Sequence, residues 1–183
     1  MTGQSARAED PQGTGAPGLA LRPVTPADHP ALWEMLRPVF RAGDTYAIDP
    51  GIGRDEALAY WCGPGRTVWI AEAGNIPLGT CYLRPNAGGG GAHVCNAGFV
   101  TAVEAQGRGV ARRMLAHVLN AAREAGFAAM QFNFVVSTNS RAVALWRREG
   151  FDVVGRLPGA FRLPDGQEVD ALVMYRRLQT VCA

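Results

Sequence analysis

The chain has 183 residues, of which 48% are hydrophobic and 19% are charged, so we expect one domain with a sizeable core rather than global disorder. All 18 basic residues are arginine, and 16 acidic residues leave a formal charge of +2, which is too small to indicate a nucleic-acid or membrane-surface partner. No run is apolar enough to predict a signal peptide or a membrane span, so we expect a soluble, cytoplasmic protein.

The four cysteines predict neither a metal site nor a disulfide framework. Cys62, Cys81, Cys95 and Cys182 form no Cys-x-x-Cys pair and no zinc-like spacing with the three histidines. Three of them lie in or beside apolar segments, where a free cysteine behaves as a small hydrophobic residue. We therefore expect buried thiols and no bound metal.

The first half of the chain predicts a short tail followed by strands and helices. Residues 1–18 are small, polar and rich in Gly and Pro, and they predict a flexible tail before a domain at 19–183. Thr25 is a helix cap followed by a proline, and Gly74-Asn75 is a hairpin turn. The predicted elements are, in chain order, a strand at Leu19–Val24, a helix from Thr25 through Phe40, a loop at Asp49–Gly53, a helix at Asp55–Trp61, strands at Thr67–Ala73 and Ile76–Arg84, and a mobile connection at Asn86–Gly91.

The second half alternates between strands and helices. The predicted elements are a strand at Ala92–Val103, a helix at Gly109–Gly126, a strand at Ala128–Val136, a helix at Ser140–Gly150, and strands at Phe151–Leu157 and Gln167–Tyr175. Several strands thus precede a single β-α-β unit. This order predicts an α/β fold of the α+β kind, with a mixed sheet and helices on both of its faces.

The sharpest local motif is Gln106-Gly-Arg-Gly-Val-Ala111, between a predicted strand and a predicted helix. Glycines let the backbone approach an anion, and the free N–H groups of a helix start point toward it. Arg108, Arg112 and Arg113 crowd the same turn, although basic residues oppose the helix dipole there. A bound polyphosphate would reverse that penalty; a plain tight turn with surface arginines is the alternative.

Two motifs in this order resemble the GNAT (Gcn5-related) N-acetyltransferases. Q-G-R-G-V-A fits the family's Arg/Gln-x-x-Gly-x-Gly/Ala signature, and the segment from Asn139 to Phe151 fits N-x-x-A-x-x-L-Y-x-x-x-G-F. The resemblance implies a GNAT fold: a mixed sheet of six or seven strands with a splayed parallel pair. It also implies acetyl-CoA as co-substrate and an amine as acceptor. The sequence leaves the oligomeric state open, a homodimer included.

The resemblance also assigns the acetyl-CoA site. The backbone of Phe99, Val100 and Thr101 would pair with the pantetheine arm, and an N–H near Val100 would stabilise the oxyanion. Asn139 would bond the pantetheine arm, cap the following helix, or do both. The diphosphate would lie against Gln106, Gly107, Arg108, Gly109, Val110, Ala111 and Arg112.

One position departs from the family pattern. Trp146 stands where the family commonly has the tyrosine that protonates the leaving thiolate, and an indole cannot donate that proton. We expect Trp146 to fill the core, with contact to the coenzyme channel as the alternative. The usual acid assignment therefore fails for this chain.

Two asparagines within apolar strands are the candidate catalytic residues. A buried, unpartnered Asn costs about 1–3 kcal/mol, so Asn96 and Asn133 are expected to find partners and to face one cleft. C-N-A-G-F at 95–99, F-N-F-V at 132–135 and G-R-L-P-G-A-F-R at 155–162 are similar to a subgroup that includes fungal enzymes acetylating proline analogues such as azetidine-2-carboxylate. That similarity implies that Asn96 anchors the substrate and that Asn133 orients the nucleophile or stabilises the oxyanion. Amides that merely bridge the sheet are the alternative.

The general base is open at this stage. The candidates are His93, Glu104 with a water chain, and bulk water. Cys95 lacks a base partner and is not expected to act as a nucleophile, and His117 is expected to be structural. Tyr46 and Tyr60 are candidates for substrate contact, with core packing as the alternative.

Three function classes follow. The leading one is an acetyl-CoA-dependent N-acetyltransferase acting on a small-molecule amine such as an amino acid or proline analogue. The alternatives are a protein or peptide N-acetyltransferase and a non-catalytic acyl-CoA-binding module.

Overall fold

The structure, a computed structural model, describes residues 18–178. Two features of the sequence lie outside these residues: the predicted tail, as far as Pro17, and Cys182. The strands are β1 (Leu19–Pro23), β2 (Thr67–Ala73), β3 (Ile76–Pro85), β4 (Val94–Thr101), β5 (Ala129–Val136), β6 (Asp152–Arg162) and β7 (Glu168–Arg177). The helices are α1 (His29–Ala42), α2 (Arg54–Cys62), α3 (Val110–Glu124) and α4 (Ser140–Arg148).

The strands form one mixed sheet in the order β1-β2-β3-β4-β5-β7-β6, which confirms the predicted fold class. All neighbours are antiparallel except β4 and β5. That parallel pair is joined only at Val94 with Ala129 and at Cys95 with Met130. The rest of β4 runs on beside β3 alone. The two strands therefore separate and leave a gap in the middle of the sheet.

Helices cover both faces of the sheet, as predicted. On one face, His117 of α3 packs against Trp69 of β2 at 5.1 Å between ring centroids. On the other face, Trp61 of α2 meets Tyr82 of β3 at 4.9 Å. Trp69 is paired with Cys81, so these two side chains lie on the same face of the sheet. Tyr82 follows Cys81 and therefore points to the opposite face, which places the two aromatic contacts on opposite sides. None of the helices within residues 18–178 is long and apolar enough to cross a membrane.

Several element bounds differ from the predictions, and three of the differences have local reasons. Residues Pro26–Asp28 form a 3₁₀ turn, so that α1 begins only at His29. The connection predicted to be mobile includes a 3₁₀ turn at Gly89–Gly91, and β4 begins later because the turn extends to the residue before it. β6 continues to Arg162 because it pairs with β7 on both sides of an irregular stretch.

A buried polar relay joins α2 to the sheet. Thr80 on β3 is fully buried; its Oγ1 accepts a hydrogen bond from Nε1 of Trp61 at 3.0 Å and donates to the carbonyl of Trp69 at 2.9 Å. A buried hydroxyl is tolerated because both of its bonds are made. The relay holds Trp61 in place next to the segment that carries Tyr46.

We expect Thr80→Val to lower the free energy of unfolding by about 2 kcal/mol, because the buried Trp61 N–H loses its acceptor while the side-chain shape is kept. Urea titration followed by fluorescence measures this value. Thr67→Val, the same change at an exposed position of β2, is the control and should shift it by less than about 0.5 kcal/mol. Equal effects of the two substitutions would contradict the relay.

Candidate functional site

A cavity of about 960 Å³ lies where β4 leaves β5, between the start of α3 and α4. Its volume lies in the range typical of cofactor and ligand pockets. Its wall includes the end of α1, the last residues of β4, the turn that follows it, and one side of α4. Of the residues assigned to acetyl-CoA, it contains Phe99, Val100, Thr101, Gln106, Gly107, Gly109, Val110, Ala111, Arg112 and Asn139.

The turn before α3 has the shape of an anion cradle. Gly107 and Gly109 have φ of 75° and 77°, a left-handed conformation that favours glycine. Gly109 caps α3, and the first intrahelical bond runs from the N–H of Arg113 to the carbonyl of Gly109. The N–H groups of Val110 and Ala111 thus lie in the first turn, where a helix provides no acceptor of its own. This arrangement suits a phosphate group.

The arginines around the larger cavity differ from the prediction. Arg108 is exposed and is not part of the wall. Arg112 is in the wall, but its Nε donates to Oε1 of Glu149 at 2.9 Å, which joins α3 to the end of α4. Arg141 and Arg148 also line the cavity; the sequence reasoning missed both. Their position opposite the glycine turn depends on how α4 packs, which the local sequence does not reveal.

A second cavity of about 240 Å³ opens on the other side of the gap. Asn96, Asn133, Tyr46 and Tyr60 are among its lining residues. Five residues line both cavities and mark their junction: Thr45, Phe99, Asn139, Ala142 and Trp146. A long ligand in the larger cavity can therefore present its end to a small molecule in the smaller one.

The backbone of Phe99 at this junction is already hydrogen-bonded within the chain, so the expectation that it is free for the pantetheine arm is wrong. The Tyr46 hydroxyl accepts a hydrogen bond from the Phe99 N–H at 3.1 Å and donates one to the Phe99 carbonyl at 2.9 Å. Tyr46 lies 53 residues earlier in the chain, between α1 and α2, so no local pattern reveals the contact. Burial raises the pKa of Tyr46 well above its usual value, with smaller contributions that include Tyr82, so the phenol holds its proton.

The expectation for Val100 is also corrected. Because backbone groups alternate along a strand, and those of Phe99 face the gap, those of Val100 face β3, where Thr80 is its partner. The N–H of Ala102 confirms the alternation by donating to the carbonyl of Leu78 on β3. By the same alternation the backbone of Thr101 faces the gap, as predicted.

The two asparagines face one cavity, as predicted, but only one is buried. Asn96 is 7% exposed, and its Nδ2 donates to the carbonyl of Gln131 at 2.8 Å, across the gap from β4 to β5. Asn133 is exposed, so its expected burial is wrong; its Oδ1 accepts from Gln131 at 2.8 Å and its Nδ2 donates to Asn86 at 2.7 Å. Asn133 sits on the part of β5 that has parted from β4, which leaves it open.

Asn139 and Trp146 have the structural roles that the sequence suggested. Oδ1 of Asn139 accepts from the N–H of Ala142 at 3.1 Å and caps α4. Trp146 is buried against the rings of Phe99 and Phe132, at 5.2 and 4.9 Å between centroids. Both side chains also line the two cavities, so packing and ligand contact are compatible at each position.

Arg84 is a site residue that the sequence reasoning missed. It lies at the end of β3 opposite Asn96 and, among residues 18–178, is the only charged one that lines the smaller cavity. Its buried Nε has no hydrogen-bond partner, and none of the ion pairs found within residues 18–178 includes it. An uncompensated guanidinium in a cavity is suited to an anionic ligand, a carboxylate above all.

The two side chains that the sequence offered as bases do not reach either cavity. His93 precedes β4 and Glu104 lies in the turn after it; both are exposed and neither is in a cavity wall. Cys95 is buried, its thiol donates to the carbonyl of Ala129, and burial raises its pKa to about 12. Such a thiol is a poor nucleophile. Asp44, which the sequence reasoning missed, is the carboxylate that lines the larger cavity.

Comparison with known proteins agrees with this architecture. The sequence profile described as "Acetyltransferase (GNAT) family" matches residues 30–151. N-acetyltransferase aca1 of Schizosaccharomyces pombe is 36% identical over 149 residues, which cover 72% of this chain and 71% of aca1. The chain therefore belongs to the GNAT acetyltransferase family: it is an N-acetyltransferase, and acetyl-CoA is the co-substrate of this family.

Solved structures share the fold. A GCN5-related N-acetyltransferase from Kribbella flavida is 40% identical, with a TM-score of 0.83 over 88% of this chain and 98% of that one. The yncA protein of Salmonella typhimurium, solved with its cofactor acetyl-CoA, is 20% identical, with a TM-score of 0.78 over 91% of this chain and 97% of that one. At that identity, the second likeness concerns the fold alone.

Proposed function

We propose that this enzyme transfers the acetyl group of acetyl-CoA to the amine of a small molecule that also carries a carboxylate, such as an amino acid or a proline analogue. The observation that carries the proposal is the smaller cavity, with Arg84 as its one charged group. Its volume suits a small acceptor better than a peptide chain. The similarity to acetyltransferases of proline analogues supports the same acceptor class.

The coenzyme occupies the larger cavity in this proposal. The N–H groups of Gly107, Gly109, Val110 and Ala111 hold the diphosphate, and Arg141 and Arg148 supply positive charge nearby. The pantetheine arm runs along the gap side of β4 past Thr101 and brings the thioester to the junction of the two cavities. There the acceptor amine meets it, so much of the rate enhancement comes from positioning.

The two asparagines complete the acceptor site. Asn96 is held in place by its bond to Gln131, and it anchors the substrate beside Arg84. Asn133 is connected to Gln131 and Asn86, and its amide orients the amine or stabilises the oxyanion. The cytoplasmic location expected from the sequence stays a prediction.

Thiol release from acetyl-CoA, measured with a panel of acceptors, tests this function. The panel contains free amino acids, proline, azetidine-2-carboxylate, pyrrolidine as the decarboxylated counterpart of proline, and short peptides. We expect turnover with at least one free amino or imino acid and little with pyrrolidine or the peptides. A preference for peptides would support the protein or peptide acetyltransferase instead, and acetyl-CoA binding without any turnover would support a non-catalytic module.

We expect Asn133→Ala to lower kcat about 10-fold without changing stability, because the side chain is exposed yet faces the acceptor cavity. Initial rates at saturating acetyl-CoA, with an acceptor from the panel, measure this change. Asn120→Ala, at an exposed position of α3 outside both cavities, is the control and should retain full activity. Unchanged kcat and acceptor KM in Asn133→Ala and also in Asn96→Ala would refute the role of the asparagines.

A further inference from the structure

The leaving thiolate needs a proton that α4 cannot supply. The α4 residues in the cavity walls are Ser140, Arg141, Ala142, Leu145, Trp146 and Arg148. An indole has no accessible titration, a guanidinium stays charged, and a serine hydroxyl is a weak acid. A proton donor must therefore come from another element that reaches the junction.

The position of the reacting bond follows from the two cavities. With acetyl-CoA in the larger cavity and the acceptor in the smaller one, the thioester lies beside the residues that line both. Among these, Phe99 is on β4, with its N–H directed into the gap. This N–H already donates to the Tyr46 hydroxyl, so a thioester that reaches the junction meets that hydroxyl and not a free backbone donor.

The Tyr46 hydroxyl occupies the same place. Its oxygen lies 3.1 Å from the Phe99 nitrogen and 2.9 Å from the Phe99 carbonyl oxygen. A thioester held beside the Phe99 backbone therefore lies next to this phenol. Trp146 packs against the ring of the same Phe99, so phenol and indole meet at one residue.

We propose that Tyr46 is the general acid of the reaction, in the place left by the indole of Trp146. This rests on the proposed function, since it needs an acceptor amine beside the thioester. The amine nitrogen forms a bond to the thioester carbon, the C–S bond breaks, and Tyr46 gives its hydroxyl proton to the departing sulfur. The phenolate then regains a proton from the acylated nitrogen, so that an amine and a thioester become an amide and a thiol.

The surroundings of Tyr46 suit this role. Burial keeps the phenol protonated in the free enzyme, and the same burial raises the pKa of a thiol formed beside it, so that the departing sulfur takes the proton. The Phe99 N–H stabilises the phenolate that results, because it already donates to that oxygen. The ring is held by edge contacts with Phe40 at 5.7 Å and Trp61 at 5.9 Å between centroids, which fix its direction.

A phenol outside both cavities provides the matched control. Tyr175 on β7 is half-buried and is in the wall of neither cavity. Tyr175→Phe removes a hydroxyl in the same way as Tyr46→Phe and is not expected to affect the reaction.

The test compares Tyr46→Phe with Tyr175→Phe in the full chain. We expect Tyr46→Phe to lower kcat about 100-fold, in the range typical of a lost general acid, with little change in the Kd for acetyl-CoA measured by calorimetry. The control variant, Tyr175→Phe, should retain at least a third of the wild-type kcat. Each Phe variant keeps its ring, and thermal unfolding verifies that it is folded.

A second measurement separates proton donation from packing. An acetyl thioester of a thiophenol releases a weakly basic thiolate that needs no proton, so Tyr46→Phe should lose no more than about threefold in kcat/KM with this donor. An equal loss with both donors, or a kcat with acetyl-CoA within threefold of wild type, would overturn the proposal. Thiol release with water as acceptor gives the same comparison if no panel amine is acetylated, so failure of the proposed acceptor class is distinguished from failure of this role.

Discussion

Arg84→Met is expected to lower kcat/KM for a carboxylate-bearing acceptor by a factor on the order of 300, chiefly through KM. The reason is that Arg84 is the only charged residue lining the smaller cavity and has no acidic partner in the described part of the chain. Removing one partner of a buried charge pair costs about 2–5 kcal/mol, which corresponds to this factor. Steady-state kinetics with proline and with pyrrolidine measures the change.

The comparison of the two acceptors identifies the cause. If Arg84 binds the carboxylate, wild type prefers proline strongly, and Arg84→Met abolishes that preference while the Kd for acetyl-CoA is retained. Stability should not fall, because the substitution removes a buried N–H that has no partner among the described residues. Arg84→Lys, which keeps the charge, should recover part of the preference. A preference for proline that survives Arg84→Met would refute the carboxylate site.

Gly107→Asp is expected to weaken acetyl-CoA binding at least about 100-fold relative to Gly107→Asn. Both side chains tolerate the positive φ at this position better than others do, and a Cβ there meets no atom within 4 Å. The two variants therefore share the backbone cost and differ in one negative charge beside the proposed diphosphate. Calorimetric Kd values for the two proteins measure the difference.

A truncated donor provides the control for this prediction. Acetyl-pantetheine lacks the diphosphate, so the two variants should turn it over equally. Higher salt should narrow the difference in acetyl-CoA affinity, because screening weakens the repulsion. Equal acetyl-CoA affinities for Gly107→Asp and Gly107→Asn would show that the diphosphate lies elsewhere.

The features that were predicted correctly depend on residues that lie close together in the sequence. The turn at 107–109 has a left-handed backbone at its first and last residues, and the sequence has glycine at both of these positions. The Asn139 cap lies three residues from the N–H that it binds. Each of these features depends on neighbours in the chain, so local chemistry was sufficient to predict it.

The missed features depend on contacts between distant segments. Tyr46 reaches Phe99 across 53 residues, and Arg84 faces the acceptor cavity only because β3 pairs with β4 in one register. Asn133 was expected to be buried because its strand is apolar, but β5 has already left β4 at that point. Where a sheet opens, a strand lacks one of its neighbours. The apolar or polar character of its residues then no longer indicates which side chains are buried.

Calorimetric titration of the folded wild-type chain with acetyl-CoA is the most direct test of whether the glycine turn binds the coenzyme. We predict saturable binding of one molecule per chain, much tighter than that of acetyl-pantetheine, and weakened by Gly107→Asp. Absence of any saturable heat, or equal affinity for the two thioesters, would contradict it.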